Sequence, residues 1–130
     1  IMGEYSVDSF KGKAYIIFGD NNQTDISLSS LGNNGITIST SSRDFIGKSV
    51  SGIGDINGDG YADCIIGSQY KDKAYVIFGD TTLASSNIDT NNIANYGFII
   101  TNDHNQRAFI SHSVSGGVDI NGDGIDDIIL

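Results

Sequence analysis

Oxygen-bearing side chains recur at alternate positions in one short stretch of this sequence, and the stretch occurs twice. The pattern D-x-N-x-D-G-x-x-D occupies residues 55–63 and again residues 119–127. Calcium takes roughly six to eight oxygen ligands at about 2.3–2.6 Å, so a tight loop with an oxygen at every second residue can surround it. The glycine at the sixth position, Gly60 or Gly124, permits the sharp bend because it tolerates positive φ. The pattern therefore predicts two calcium loops.

Each loop offers side-chain oxygens at positions 1, 3, 5 and 9 and a backbone carbonyl at position 7. The predicted ligands are Asp55, Asn57, Asp59, Tyr61 (carbonyl) and Asp63 in the first loop, and Asp119, Asn121, Asp123, Ile125 (carbonyl) and Asp127 in the second. An aspartate in such a loop is commonly a solvated turn former. Three aspartates within one short loop would repel one another without a cation, which favours metal ligation. Asp126 falls between ligand positions, and we expect it to be solvated.

These loops differ from the EF-hand, whose twelfth position is a bidentate glutamate. Position 12 is Ile66 in the first copy and Leu130 in the second, so coordination has to close at position 9. The flanking residues are short, rich in glycine and β-branched, which predicts strands and not the two helices of an EF-hand.

The similarity between the two halves of the chain extends beyond the loops. The interval from Phe45 to Phe109 equals the interval from Asp55 to Asp119. The segment Lys13–Asp20 also matches Lys73–Asp80, at a slightly shorter interval. A repeat of this length is typical of solenoids, propellers and arrays.

One repeat contains four candidate strands and no convincing helical periodicity. The candidates are Ile46–Gly52, Cys64–Ser68, Ala74–Gly79 and Phe98–Thr101, with Ile36–Ser39 as the counterpart of the last. Four short strands per repeat is the composition of a β-propeller blade. Residues 74–78 are apolar on both faces, as expected of a strand in a sheet stacked between two neighbours. The predicted fold class is therefore all-β, built from four-stranded antiparallel propeller blades.

The repeat resembles the FG-GAP repeat of integrin α-subunit β-propellers and their bacterial relatives. The resemblance rests on Phe45 with Gly47, the loop at 55–63, Cys64–Gly67 and Val76–Gly79. Gly67-Ser68-Gln69 stands where the family has Gly-Ala-Pro, and Ser111 replaces glycine in the second copy. The resemblance implies calcium at both loops, with the ligands given above. It also implies partner binding through loops on the face opposite the calcium loops, among them 69–73 and 80–97.

We expect the sequence to make up about two blades' worth of a propeller, cut in mid-blade. We expect residues 1–44 to form strands two to four of one blade, 45–108 a full blade and 109–130 strands one and two of another. Propellers typically contain four to eight blades. The chain would therefore be part of a longer propeller, or several copies would close a ring in homo-oligomeric form.

Composition restricts the functional classes. The formal net charge is −9, and Glu4 is the sole glutamate among 16 acidic residues. No basic stripe is present, which argues against nucleic-acid binding, and the short apolar runs predict no membrane insertion. The single cysteine, Cys64, is expected to be a buried small hydrophobe. Ligand sets of this kind suit the millimolar calcium outside cells, so an extracellular or cell-surface location is expected.

The sequence predicts a non-catalytic protein, because neither His104 nor His112 belongs to a recognisable catalytic arrangement. The main hypothesis is a calcium-stabilised propeller module that binds an extracellular protein or matrix partner, as in cell adhesion. One alternative is a carbohydrate-binding propeller or the non-catalytic scaffold of a polysaccharide-degrading enzyme, with Tyr70 and Tyr96 as candidate sugar-stacking residues. The other is a structural spacer of a surface protein.

Overall fold

The chain is built from β-strands arranged in three sheets. The computed structural model describes residues 1–5, 9, 11–21, 25–83, 87–102 and 110–130. The strands are β1 (Met2–Glu4), β2 (Lys13–Ile17), β3 (Gly35–Ser39), β4 (Ile46–Gly54), β5 (Asp63–Ser68), β6 (Lys73–Ile77), β7 (Asn87–Asp89), β8 (Gly97–Thr101), β9 (Ser115–Val118) and β10 (Asp127–Ile129). Two short 3₁₀ helices, Gly32–Asn34 and Thr90–Asn95, precede β3 and β8. The all-β prediction is confirmed.

The central sheet is four-stranded and antiparallel, in the order β4-β5-β6-β8. Cys64 lies opposite Ile77, and Ser68 lies opposite Lys73, so β5 and β6 form a regular hairpin. The four predicted strands of this repeat are confirmed, with ends that lie close to the observed ones. Their β-branched and aromatic residues suit a pleated, buried surface.

The first sheet has the order β1-β2-β3-β7, and its outermost pair is parallel. Strand β7 comes from the connection between β6 and β8, so the central repeat contributes an edge strand to its neighbour. The sequence pattern did not predict this strand. The third sheet contains β9 and β10 in antiparallel pairing.

Alternate residues of the central strands enter two different cores. In β6, Tyr75 and Ile77 belong to the core shared with the first sheet. Ala74 and Val76 belong to the core shared with Val114 at the start of the third sheet. Every residue of β5 is buried. This two-sided burial explains why these strands are continuously apolar instead of alternating.

Glycines allow neighbouring sheets to approach closely, and the same contact occurs at both interfaces. A Cβ placed on Gly3 would overlap the carbonyl oxygen of Gly47. A Cβ on Gly67 would overlap the carbonyl oxygen of Ser111. Gly67 follows Gly3, and Ser111 follows Gly47, at the same interval that separates Asp55 from Asp119. The spacing seen in the sequence is therefore also the spacing of the packing between sheets.

The connections of the central sheet separate into two ends. The loop 55–63 joins β4 to β5 at one end, and the turn at 69–72 joins β5 to β6 at the other. The β6–β8 connection returns to the first end, where Asp80 and Tyr96 line a hollow of about 270 Å³ together with Asn57 and Asp59. The expectation that 80–97 lies opposite the calcium loop is therefore wrong for 80–83 and 94–97, which line this hollow. Residues 89–91 do lie at the opposite end, where Asp89 pairs with Ser39 and the Asn91 amide donates to the Ser41 hydroxyl. The turn at 69–72 lies at that opposite end as well.

Two positions used in the sequence analysis, His104 and Phe109, lie outside the described residues. Across the described parts of the chain, none of the helices has the length and apolar character needed to cross a membrane.

We expect Gly67→Ala to destabilise the fold by about 1–3 kcal/mol, the usual cost of overpacking a close-packed interior. The added methyl group would overlap the Ser49 hydroxyl and the Ser111 carbonyl oxygen. The control is Gly52→Ala, because nothing lies within 4 Å of a Cβ at that exposed position. Urea unfolding followed by circular dichroism measures both variants. Equal stability of the two variants would contradict the close approach of the second and third sheets.

Candidate metal centre

Each acidic loop joins the two strands of an antiparallel pair. The first loop connects β4 to β5, and the second connects β9 to β10. Both pairs have a register irregularity next to the loop, at Gly52/Gly54 and at Asp127/Ile128. The glycines at loop positions 4 and 6 all have positive φ, between 76° and 91°; they are Gly58, Gly60, Gly122 and Gly124. This backbone conformation favours glycine, and it curls the loop.

The first aspartate of each loop organises the backbone around its own carboxylate. Asp55 Oδ1 accepts hydrogen bonds from the N–H groups of Gly58 at 2.8 Å and Asp59 at 3.1 Å. Its Oδ2 accepts from the N–H of Gly60 at 2.8 Å. Asp119 makes the same three bonds in the second loop, with N···O distances of 2.7, 3.1 and 2.8 Å to Gly122, Asp123 and Gly124. The matched sequences thus have matched local structures.

The next two ligand positions are also linked in both copies. Asn57 Oδ1 accepts the N–H of Asp59 at 3.0 Å, and Asp59 Oδ1 accepts the N–H of Tyr61 at 2.8 Å. The corresponding bonds in the second loop, Asn121 with Asp123 and Asp123 with Ile125, are both 2.9 Å. Side-chain acceptors of this kind compensate backbone donors that neither strand can pair.

The ninth position folds back across the loop. Asp63 is 3% exposed, its Oδ2 accepts the N–H of Ile56 at 2.9 Å, and its Oδ1 accepts the N–H of Gly79 at 2.7 Å. Asp127 makes the equivalent bond to Ile120 at 2.7 Å. Asp63 thereby joins the loop to the end of β6 as well as to β5.

The carboxylates differ in their electrostatic environments. The N–H of Gly60 above all, with those of Gly58 and Asp59, holds the pKa of Asp55 below its usual value. The N–H of Gly124 has the same effect on the pKa of Asp119. Burial raises the pKa of Asp63, and the charges of Asp59 and Asp55 add to this increase. On acidification, protons therefore reach Asp63 before Asp55.

The donor set fits a hard cation. Each loop supplies three carboxylates, an amide and a carbonyl, which are the oxygen ligands that calcium prefers. Within the described residues, no group of three or more His, Cys, Asp or Glu side chains meets in an arrangement that could hold a metal ion. Most of the carboxylate oxygens accept backbone N–H groups instead, and Asp59 Oδ2 accepts the side-chain amide of Asn57 at 2.8 Å. A bound cation would therefore have to share these oxygens with the N–H donors, and it would supply the positive charge that offsets their mutual repulsion.

Asp126 is where the prediction was wrong. It is half-buried, and its Oδ2 accepts the N–H of Asp55 in the other loop at 3.1 Å. Its own N–H donates to the carbonyl oxygen of Asp55 at 3.3 Å. The corresponding residue of the first loop is Ala62. This difference between the copies indicates that Asp126 has a role of its own, but it does not indicate which residue Asp126 binds.

The sequence matches no protein-family model, and no curated protein is significantly similar to it.

Cys64 follows Asp63 directly, so the reactivity of its thiol shows whether β5 is packed. It is 8% exposed, which confirms the predicted burial, and burial raises the pKa of its thiol to about 12. The thiolate is the reactive form of cysteine. Both effects make the native thiol a poor nucleophile at neutral pH.

We therefore expect Cys64 to react with a thiol reagent on the order of a hundredfold more slowly in the native chain than in urea. Labelling kinetics measured with a chromogenic disulfide provide the test. Cys64→Ser serves as the blank for background reaction. Equal rates in buffer and in urea would show that β5 is not packed between the two neighbouring sheets.

Proposed function

We propose that this chain is a calcium-stabilised β-propeller module of the FG-GAP type, which binds an extracellular protein or matrix partner without catalysing a reaction. The four-stranded antiparallel order of the central sheet supports the blade assignment. The stacking of three sheets through recurrent glycine contacts supports an array of such blades. Each acidic loop follows the first strand of its sheet, where the FG-GAP pattern has its calcium loop.

One observation carries the proposal: the two loops form the same hydrogen-bond network at matching positions of two successive repeats. Turn-forming aspartates at unrelated places in a surface have no reason to reproduce five positions in the same register. A shared network that gathers three carboxylates into so short a loop is accounted for if each loop binds the same cation. The remaining acidic residues of the described chain do not reproduce this pattern.

Calcium would act as a folding ligand. Two ions would change the formal charge from −9 to −5 (−9 + 4), and they would neutralise the loops where carboxylates are densest. Extracellular modules bind calcium with dissociation constants of about 10⁻⁴–10⁻³ M. At about 1 mM calcium, a site with a constant of about 10⁻⁴ M stabilises the folded state by roughly 1.4 kcal/mol. Such loops would be filled outside cells and empty at cytosolic calcium concentrations.

We expect calcium titration to give two sites and to raise the melting temperature by roughly 5 °C or more at about 1 mM. Asp59→Ala and Asp123→Ala should each remove one site, because each deletes a fifth-position carboxylate. Isothermal titration calorimetry counts the sites, and differential scanning fluorimetry measures the thermal shift. Asp25→Ala, at an exposed position outside both loops, is the control and should keep both sites. Equal thermal shifts with magnesium and calcium, or no binding, would contradict the assignment.

The end of the central sheet opposite the first loop has the character of a protein-binding surface. The Tyr70 ring, 45% exposed, lies 5.9 Å from that of Phe45 between ring centroids. The guanidinium of Arg43 lies over Phe45 at 5.7 Å from the centroid. Gln69 and His112 are in hydrogen-bond contact beside them. Tyrosine and arginine are enriched among residues that dominate interface energetics.

We expect Tyr70→Ala to weaken partner binding at least roughly tenfold, the effect of losing an interface residue worth about 1.4 kcal/mol. Binding to a panel of immobilised matrix proteins in calcium buffer provides the measurement. Tyr61→Ala is the matched control, since Tyr61 is 46% exposed at the calcium-loop end and the variant keeps its backbone carbonyl. A loss of binding in Tyr61→Ala alone would move the partner surface to the calcium-loop end.

Carbohydrate recognition is the second candidate, and the hollow beside the first loop favours it. Phe78 and Tyr96 offer aromatic surface there, and Asn57, Asp59 and Asp80 offer polar groups. A concave site with a few convergent polar groups is typical of small-ligand binding. A glycan array separates the candidates, because glycan binding abolished by Tyr96→Ala but retained in Tyr70→Ala would favour carbohydrate recognition. Calcium-dependent stability without any ligand would favour a structural spacer.

A further inference from the structure

The two acidic loops are in direct contact through Asp126. This residue is the eighth of the second loop and stands between two predicted ligands, Ile125 and Asp127. Its carboxylate accepts the Asp55 N–H at 3.1 Å, and its N–H donates to the Asp55 carbonyl oxygen at 3.3 Å. Asp126 thus binds the peptide groups on both sides of Asp55, which is the first predicted ligand of the first loop. Asp126 itself lies between the last two predicted ligands of the second loop.

The residues around the contact between Asp126 and Asp55 differ from their counterparts in the other repeat. A Cβ on Gly54 would overlap the carboxylate of Asp126, and Gly54 has a φ of 70°. Its counterpart in the second repeat is Val118, and the counterpart of Asp126 in the first repeat is Ala62. The glycine and the extra carboxylate therefore occur together at this contact, and the only other difference between the two loop sequences is Tyr61 against Ile125 at position 7. A solvated aspartate would not need a glycine opposite it.

We propose that Asp126 couples the two loops, so that a cation in the 119–127 loop raises the affinity of the 55–63 loop. The inference rests on the proposed calcium binding and adds a regulation of it. Cation binding to the second loop fixes Ile125 and Asp127 and so restricts the residue between them. The restricted Asp126 holds the backbone of Asp55 in position, which lowers the ordering cost of the first loop. Coupling between sites is reciprocal and typically amounts to a factor of about 5–150.

The negative charge of Asp126 has a separate effect. It strengthens cation binding to the first loop whether or not the second loop is filled. The hydrogen bond from the Asp55 N–H to Asp126, by contrast, makes the affinity of the first loop depend on whether the second loop holds a cation. Asp126→Asn keeps an acceptor for the Asp55 N–H and removes the charge, whereas Asp126→Ala removes both. Coupling that survives in the asparagine variant and is lost in the alanine variant therefore belongs to the hydrogen bond.

Terbium luminescence favours the signal of the first loop. Tyr61 occupies the seventh position of that loop and can sensitise a bound terbium ion, whereas the second loop has Ile125 there. The affinity of the first loop for terbium is measured in the full chain, in Asp123→Ala, in Asp126→Ala and in the double variant. Calorimetric titration with calcium counts the sites in each, and circular dichroism checks that each variant is folded.

We expect Asp123→Ala to weaken terbium binding at the first loop roughly fivefold or more when Asp126 is present. Asp126→Ala keeps only the main-chain bond from residue 126 to the Asp55 carbonyl oxygen, so in that background the same substitution should have a much smaller effect. Asn121→Ala replaces Asp123→Ala if the latter does not fold. Equal effects of disabling the second loop in both backgrounds would overturn the coupling while leaving two calcium sites and the proposed function intact. Absence of calcium and terbium binding at both loops would overturn the proposed function and the coupling together.

Discussion

The burial of both faces of the central sheet is the constraint on which the other features depend. Strand β5 has neighbours on each side within its sheet and a packed core on each face, so every one of its residues is buried. Such a strand cannot tolerate added volume where the next sheet approaches, which is why Gly67 lies against Ser111. The same contact between Gly3 and Gly47 shows that the constraint recurs from one sheet to the next.

The acidic loops are attached to this rigid element. Asp63 is the last residue of the first loop and the first residue of β5, and it also binds the N–H of Gly79 beyond β6. Packing of the sheet therefore fixes one end of the loop, while Asp55 at the other end holds the middle of the loop through three N–H groups. Placing carboxylates on a rigid scaffold concentrates negative charge. In the proposed function, calcium offsets that charge and couples metal binding to folding.

The repeats differ at the place where their two acidic loops contact each other. Within each loop, the positions that accept backbone N–H groups have the same residue types in both copies. Gly54 and Asp126 differ from their counterparts Val118 and Ala62, and they lie against each other across the boundary between two sheets. Neighbouring units of a repeat architecture gain stability from their interfaces as well as from their own cores. The difference between the copies at this contact therefore coincides with an interface between sheets.

The local features of this protein follow from its sequence alone. Turns and strand propensity depend on short-range sterics and hydrogen bonds, so residue types close to one another in the chain are enough to predict them. Such local patterns predict the turn glycines, the likeness of the two loops and the strands at 46–54, 63–68, 73–77 and 97–101. The tertiary structure alone decided the rest. It placed β7 beside β3, brought both ends of the β6–β8 connection to the first loop, and paired Asp126 with Asp55 in the preceding repeat. These contacts depend on how the sheets stack. The apolar residues in the sequence indicate that both faces of a strand must be buried, but they do not indicate which distant polar groups meet as a result.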